Sequence, residues 1–145
     1  TVQMVIDHCY KKKIPVVLNP APYQDVPMSM IDKITYITPN QGELANMFKS
    51  DQEANLAKYP NKLIMTAGKD GVYFHDGDKI IHLPSNEVNV VDTTGAGDTF
   101  NGALAVGLTN QLSLKEAIIF AQKAASIAIG KMGAQTAMPT LSEIK

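Results

Sequence analysis

Two spacings of apolar residues alternate along the first half of the chain. Apolar residues three and four positions apart predict a helix over residues 2–13, and a compact apolar run at 14–18 predicts a buried strand. The same patterns predict a short helical turn at 28–31, a strand at 34–37, a helix ending at Phe48, a helix at 51–58 and a strand at 61–66. Strands that alternate with helices are typical of an α/β fold with a mostly parallel sheet.

The second half of the chain predicts a hairpin followed by helices. Apolar stretches at 72–75 and 79–83 flank an Asp-Gly pair, which is typical of a β-hairpin. The run from Val88 to Val91 predicts a further buried strand, and residues 100–108 predict a helix rich in small residues. Ser113 opens a last long helix over 114–130, whose buried side we expect to carry Leu114, Ala117, Ile118, Ala121, Ala125, Ile127 and Ala128.

Composition narrows the class of protein. The chain has 145 residues, of which 45% are hydrophobic, so it is long enough for one domain with a core. A net charge of −1 without a basic block argues against nucleic acid as a partner. Cys9 has no second cysteine to pair with, and no apolar stretch is long enough to span a bilayer, so we expect a cytoplasmic protein without a membrane partner. The histidines His8, His75 and His82 lack metal-ligand spacing.

One glycine-rich stretch contains the candidate phosphate-binding and catalytic residues. It runs from Asp92 to Gly102 and joins the predicted strand at 88–91 to the helix that follows. Free N–H groups at a helix start, together with glycines that let backbone come close, can hold a phosphate. Asp98 would repel that phosphate unless it takes the proton from an attacking hydroxyl. The alternative is that Asp98 merely complements the helix dipole.

The whole stretch resembles the C-terminal signature of the ribokinase-like sugar kinases, the PfkB family, which reads Asp-Thr-x-Gly-Ala-Gly-Asp followed by Phe and a small-residue helix. The resemblance implies a ribokinase-like, three-layer, Rossmann-like fold with a mostly parallel sheet flanked by helices and a β-hairpin. It implies ATP as phosphoryl donor and Asp98 as catalytic base. It also implies an anion hole formed by Gly95, Ala96 and Gly97.

Two further segments follow strands, where open α/β sheets hold ligands. Asn19 begins the stiff run Asn-Pro-Ala-Pro and suits a turn-capping role equally well. Ribokinases carry a very similar segment near the nucleotide phosphates, which implies that role for Asn19. Asn40 and Glu43 share one face at a helix start, with Thr38 as the expected cap and Pro39 in the first turn.

The pair of Asn40 and Glu43 has two readings. An amide oxygen and a carboxylate on one face can hold Mg²⁺ through its waters, whereas Glu43 can also complete a capping box. Asn-x-x-Glu is the second motif of the PfkB family, and that resemblance implies the Mg²⁺ role.

The resemblance also assigns nucleotide and cation contacts. The loop between the predicted strands resembles the family's nucleotide loop, and a polar residue in the last helix matches a position beside adenine; the residues are Thr66, Ala67, Gly68, Lys69, Asp70, Gly71 and Gln122. Hairpin glycines and a half-exposed glutamine are the structural alternatives. Ribokinases bind a monovalent cation, K⁺ here, at positions matching Asp92, Thr94, Ala128, Lys131, Gly133 and Ala137. Some relatives have Ser or Cys where this chain has Ala137.

Members of the family are longer and carry a sugar-binding half and a lid that nothing in this chain resembles. We therefore expect residues 1–145 to be the C-terminal nucleotide-binding and catalytic part of a sugar kinase, a homodimer at full length, converting ATP and ribose to ADP and ribose 5-phosphate. Another pentose, a ketohexose or a nucleoside is the alternative acceptor. A non-catalytic nucleotide-binding module is the alternative class of function.

Overall fold

The computed structural model describes residues 1–24, 26–49 and 51–144. The chain divides into two compact units. The first consists of Thr1–Gly68 and Val72–His82, and the second of Lys69–Gly71 and Leu83–Lys145.

The first unit combines short strands with four helices among its described residues. Its helices are α1 (Val2–Lys12), α2 (Met28–Ile31), α3 (Gln41–Phe48) and α4 (Gln52–Lys58). Its strands are β1 (Val17–Leu18), β2 (Tyr36–Ile37), β3 (Ile64–Thr66), β4 (Val72–His75) and β5 (Ile80–Leu83), except that Leu83 is counted in the second unit. These elements fall where the sequence pattern predicts them, with shorter strands than expected.

The strands form two sheets, a two-stranded sheet of β1 and β2 and a three-stranded sheet of β3, β4 and β5. Strands β1 and β2 pair in parallel, with Leu18 opposite Ile37, and parallel bridges join Ile37 to Leu63 and Asn40 to Thr66. Strand β4 then pairs with β3 in the antiparallel direction, and β5 follows β4 in the strand order. The predicted parallel arrangement thus holds for β1, β2 and β3, and the hairpin adds the antiparallel strands.

Apolar side chains of the helices and strands form the core of the first unit. The buried members are Ile6, Met30, Ile31, Ile34, Ile37, Leu44, Leu56, Leu63 and Met65. On α1, Ile6 is the buried residue, whereas Val2 and Val5 are more than half exposed. The predicted apolar face of this helix is therefore only partly covered.

The start of α3 corrects one prediction. Its N-cap is Asn40 and not Thr38, and Pro39 precedes the helix. Thr38 is buried, and its hydroxyl donates to the carbonyl of Leu18 at 3.3 Å. The Pro39 carbonyl accepts the N–H of Thr66 at 2.9 Å, which keeps this segment extended beside β3 for two residues longer than the sequence indicates.

The second unit is built on two long helices, α5 (Ala96–Thr109) and α6 (Leu114–Ile129), with a short α7 (Leu141–Ile144) and a 3₁₀ turn at Gly68–Asp70 beside the boundary. Helix α5 packs along α6, and a Cβ at Gly107 would lie 3.1 Å from the Cα of Ala117. Ser113 caps α6 in a capping box with Glu116. The buried residues of α6 are Ala117, Ile118, Ala121, Ala124 and Ala128, while Leu114, Ala125 and Ile127 are half-buried.

The predicted strand at residues 88–91 is absent. Val88, Val90 and Val91 are 38%, 55% and 50% exposed. Residues 86–90 lie outside the assigned elements, and the N–H groups of Val91 and Asp92 donate to the carbonyl of Ile129. β-branched residues favour a strand only when a partner strand is available, and none of the described strands pairs here.

Among the described residues, no helix is both long and apolar enough to cross a membrane.

Candidate active site

The predicted anion hole lies at the N-terminus of α5. Gly95 is the N-cap with φ of +76°, a left-handed conformation that favours glycine, and an added Cβ there would lie 3.2 Å from the Cβ of Ala134. No described side chain caps this helix end. The Ala96 N–H donates to the Thr93 carbonyl at 3.2 Å, and helix geometry leaves the N–H groups of Gly97 and Asp98 without an intrahelical partner. The turn can therefore offer two amides to an anion.

Asp98 is the third residue of α5 and is exposed. A carboxylate at this point complements the helix dipole, and it also stands next to the two amides just described. Asn101, one turn later, donates from Nδ2 to the Gly97 carbonyl at 2.8 Å. Sequence reasoning missed this contact, although the i, i+4 spacing of a helical Asn and a turn carbonyl is a usable signal.

Asp92 links two segments that the sequence places far apart. Its Oδ1 accepts the Thr94 N–H at 2.9 Å, and its Oδ2 accepts the Gly133 N–H at 3.0 Å. The Thr94 hydroxyl, the Thr94 N–H and the Gly133 N–H together hold the pKa of the Asp92 carboxyl below its ordinary value. The structure thus brings Asp92, Thr94 and Gly133 together through the N–H groups of Thr94 and Gly133, whereas the cation hypothesis invokes their carbonyls.

Within the described part of the chain, the other candidate cation ligands, Ala128, Lys131 and Ala137, form no hydrogen bond with Asp92. The Ala128 carbonyl already accepts the N–H groups of Gly130 and Lys131. Ala137 is fully buried, and the Lys131 ammonium lies 2.6 Å from a carboxylate oxygen of Glu143. Gly133 has φ of +93°, so any side chain at this position would be strained.

Gln122, predicted to lie beside adenine, is half-buried. Its Nε2 donates to the carbonyls of Leu83 and Pro84 at 3.1 and 3.2 Å, so the amide nitrogen holds the backbone at 83–84. In the same unit, a Cβ at Gly71 would lie 2.1 Å from the Leu83 carbonyl oxygen. The Ser85 hydroxyl donates to the Lys69 carbonyl. Of the predicted nucleotide residues, Lys69 is thus bonded to Ser85, and Gly71 lies against the backbone of residues 83–85.

The candidate residues of the first unit converge at the ends of its parallel strands. Asn19 donates from Nδ2 to the Thr38 carbonyl at 3.1 Å, which ties the end of β1 to the end of β2. Thr66 bridges to Asn40 at the end of β3. Asn19 and Asn40 therefore follow β1 and β2, Thr66 is the last residue of β3, and Ala67 and Gly68 come directly after it.

Asn40 and Glu43 form the capping box that the sequence left as an alternative. The Asn40 Oδ1 accepts the Glu43 N–H at 2.9 Å, and the Glu43 Oε2 accepts the Asn40 N–H at 2.8 Å. The second carboxylate oxygen of Glu43 is outside these bonds. No group of three or more His, Cys, Asp or Glu side chains with metal-ligand geometry occurs within the described ranges. A single carboxylate oxygen outside the capping box suits Mg²⁺ held through water, which needs no complete protein cage.

Comparisons with known proteins agree on one family. Residues 1–141 match the model of the pfkB family carbohydrate kinases. The chain is 49% identical over 138 residues to a ribokinase of Lactococcus lactis, covering 94% of this chain and 46% of that protein. It is 45% identical over 147 residues to a ribokinase of Bacillus subtilis, covering 100% of this chain and 50% of that protein. The chain thus spans about half the length of these curated relatives.

Solved structures give the same result for the fold. A crystal structure of ribokinase from Thermotoga maritima matches with a TM-score of 0.85 and 32% identity, covering 94% of this chain and 50% of that one. The Arabidopsis thaliana ribokinase complexed with ribose and ATP matches with a TM-score of 0.85 and 29% identity, covering 97% and 49%. The predicted ribokinase-like fold is therefore confirmed, and the chain belongs to the pfkB family of carbohydrate kinases.

Proposed function

We propose that this chain is the nucleotide-binding and catalytic part of a kinase that transfers the γ-phosphoryl group of ATP to ribose, giving ADP and ribose 5-phosphate. The observation that carries the proposal is the exposed carboxylate of Asp98 beside two helix-start amides. A carboxylate at an anion-binding turn is useful for phosphoryl transfer when it accepts the proton of the attacking hydroxyl. Ribose is favoured as acceptor because the curated relatives are named ribokinases and one solved relative binds ribose and ATP.

Each part of the turn has a role in this proposal. Asp98 accepts the proton of the ribose hydroxyl as its oxygen attacks the γ-phosphorus. The N–H groups of Gly97 and Asp98 stabilise negative charge that develops on the transferred group. Gly95 and Ala96 give the turn its shape, and Asn101 fixes the Gly97 carbonyl and thereby the orientation of the neighbouring amide.

Each unit carries proposed nucleotide contacts of its own. In the first unit, Asn19, Thr66, Ala67 and Gly68 lie at strand ends where α/β proteins bind phosphates. In the second unit, Lys69, Asp70 and Gly71 contribute through backbone and side chain. Because the amide nitrogen of Gln122 is engaged with residues 83–84, we propose that its oxygen or its aliphatic carbons face the adenine.

Two metal ions are part of the proposal. Mg²⁺ would be oriented through water by Glu43, with Asn40 holding that carboxylate in place through the capping box. When bound, Mg²⁺ shields the phosphate charge. A monovalent cation, K⁺ by resemblance, would be held by the Asp92 carboxylate and by carbonyls of Thr94, Lys131, Gly133 and Ala137. Ala128 is the weakest of these candidates because its carbonyl already accepts two N–H groups.

The test is a kinase assay with a panel of acceptors, carried out on the protein as it is expressed in the cell. ATP and Mg²⁺ are supplied with ribose, a second pentose, a ketohexose or a nucleoside, and the phosphorylated product is quantified. We expect ribose to give the highest kcat/KM and K⁺ to activate more than Na⁺, because carbonyl cages discriminate by size and field strength. A homodimer, proposed from resemblance alone, is checked by sedimentation.

A non-catalytic nucleotide-binding module is the second candidate, favoured by the match to only about half of the relatives' length. Binding of ATP without phosphorylation of any acceptor in the panel would establish this alternative and overturn the kinase proposal.

A further inference from the structure

The segment that follows α6 lies beside the glycine turn that opens α5. We call residues 130–137 the Gly133 loop and residues 92–97 the glycine turn. Gly133 donates its N–H to Asp92 at 3.0 Å, and a Cβ added at Gly95 would lie 3.2 Å from the Cβ of Ala134. The position of the Gly133 loop therefore affects the shape of the glycine turn.

The Gly133 loop has few polar contacts with other parts of the molecule. Apart from contacts within the loop and with the residues on either side of it, two polar contacts join it to the rest of the described chain. One is the bond from Gly133 to Asp92. The other is an ion pair, in which the Lys131 ammonium lies 2.6 Å from a carboxylate oxygen of Glu143. Because Ala137 is fully buried at the far end, the ion pair is the contact that restrains the first part of the loop.

Glu143 is itself held in place within its own segment. Its second carboxylate oxygen accepts the N–H and the hydroxyl of Thr140 at 2.8 and 3.0 Å. The next residue, Ile144, is buried and anchors α7. An ion pair normally costs the side-chain entropy of both partners, and a carboxylate that is already oriented has less of this entropy to lose. Glu143 thus offers Lys131 a fixed partner.

We infer that Glu143 is a positioning residue for the glycine turn and that it acts on the turn through Lys131. The ion pair holds the Gly133 loop where the Gly133 N–H reaches Asp92, and the other oxygen of Asp92 accepts the Thr94 N–H at 2.9 Å. The effect of Glu143 on catalysis rests on the proposed function, in which amides of this turn stabilise the transferred group. Its effect on the shape of the turn does not rest on that function.

The expected effect is modest because the ion pair is partly exposed. The side chains of Lys131 and Glu143 are 40% and 43% exposed. Ion pairs at such positions contribute little to stability, since water and salt screen the two charges. Loss of the pair should therefore loosen the glycine turn by a small factor and leave the fold intact.

Amide hydrogen exchange, measured by NMR on the full-length protein, tests the inference without an assay of activity. The reporters are the N–H groups of Gly133 and Thr94, and the N–H of Ile118 in α6 reports general loosening of the second unit. Glu143→Gln removes the charge and keeps an oxygen that can accept from Thr140, so α7 should persist. We expect the two reporter amides to exchange about two- to fivefold faster than in the wild type, and the Ile118 amide to be unchanged.

A second ion pair serves as the matched control. Asp7 and Lys33, in the first unit, have side chains that are 34% and 35% exposed. Asp7→Asn should leave the exchange of both reporter amides unchanged. Lys131→Met should accelerate exchange as much as Glu143→Gln does. The double variant should show no further acceleration, because both substitutions break the same contact.

Catalysis is measured on the same variants. If the glycine turn is the anion hole, kcat with ribose should fall in Glu143→Gln and in Lys131→Met, while the KM for ribose stays unchanged. Asp7→Asn should have wild-type kinetics. Faster exchange at both reporter amides without a change in kcat would overturn the role of Glu143 in catalysis.

Three results of the exchange experiment would overturn the inference itself. Wild-type exchange rates in Glu143→Gln would show that the ion pair does not hold the loop. Faster exchange of Gly133 alone would show that the pair holds the loop without affecting the turn. An equal acceleration at Ile118 would assign Glu143 a general role in stability. A wild-type protein that phosphorylates no acceptor would refute the proposed function instead, and the exchange rates would still decide the inference about the turn.

Discussion

The carboxylate of Asp92 holds the backbone N–H of Gly133, 41 residues further along the chain, at 3.0 Å. Its other oxygen holds the N–H of Thr94 at 2.9 Å. One side chain therefore fixes both the turn that precedes α5 and the segment that follows α6. The shape of the proposed anion hole depends on this link, because Gly95 also approaches Ala134 in that later segment.

Replacing Asp92 by Asn should weaken the fold in a pH-dependent way. Hydrogen bonds from Thr94 and Gly133 lower the native pKa of Asp92, so the ionised form is favoured in the folded state. This contribution is present above the unfolded pKa of about 3.9 and is lost as the pH falls through the lowered native value. The difference in unfolding free energy between wild type and Asp92→Asn should be constant from about pH 5 to 7 and should shrink below about pH 4.

Urea denaturation across this pH range measures the effect. Glu53→Gln, an exposed carboxylate on α4, is the control for a general loss of negative charge. If the difference in unfolding free energy between wild type and Asp92→Asn does not shrink below about pH 4, the Asp92 carboxylate is not the group that causes the pH dependence.

Asp98→Asn should lower kcat by at least about a hundredfold, the low end for loss of a general base, with ATP affinity nearly unchanged. The substitution retains the size of the side chain and removes the proton acceptor. The measurement is steady-state kinetics with ribose alongside calorimetry with ATP, in the full-length protein. If Asp98 only complements the helix dipole, activity will survive and the loss will appear in Tm alone.

Two substitutions at Glu43 separate its structural role from its proposed metal role. Glu43→Gln keeps an oxygen that can accept the Asn40 N–H, so the capping box and the stability should persist while the Mg²⁺ concentration needed for half-maximal activity rises. Glu43→Ala should lower both stability and activity. For comparison, Asn40→Ala removes the N-cap itself and should cost about 1 kcal/mol. An unchanged Mg²⁺ requirement in Glu43→Gln would refute the metal role.

Two glycines of α5 should respond in opposite directions to the same change. At Gly102 a Cβ meets nothing within 4 Å, so Gly102→Ala should raise stability by about 0.5–1 kcal/mol through helix propensity. At Gly107 a Cβ would lie 3.1 Å from the Cα of Ala117, so Gly107→Ala should lower stability by about 1–3 kcal/mol. The stability of each variant is measured by thermal or urea unfolding. Equal changes in stability for Gly102→Ala and Gly107→Ala would mean that α5 and α6 are not packed as described.

Much of the fold was predictable from local pattern. Periodicity identified α1 and α6 closely, and Ser113 marked the start of α6, whereas α5 begins at Ala96, four residues before its predicted start. The Asp-Gly hairpin was predicted correctly because Gly77, with φ of +109°, fills a turn that few other residues tolerate. The glycine turn and the Asn-x-x-Glu motif were found because both are contiguous in sequence.

The errors share a cause, which is that they depend on partners distant in the chain. The valines at 88–91 favour a strand by composition, but no described strand pairs with them. Thr38 has the right chemistry for a cap, but the extended pairing beside β3 delays the helix to Asn40. The bond from the Gly133 N–H to Asp92 and the bonds of Gln122 with residues 83–84 leave no local pattern in the sequence.

Gly68 and Gly71 both adopt positive φ, but their surroundings differ. Around Gly68 the space is open within 4 Å. At Gly71, in contrast, a methyl group would overlap the backbone carbonyl oxygen of Leu83. In a library carrying every amino acid at each position, Asn or Asp should survive selection for folding at position 68, because these residues enter the left-handed region most readily after glycine. Position 71 should return glycine alone. Two glycines that look equivalent in the sequence would thus have opposite tolerance to mutation.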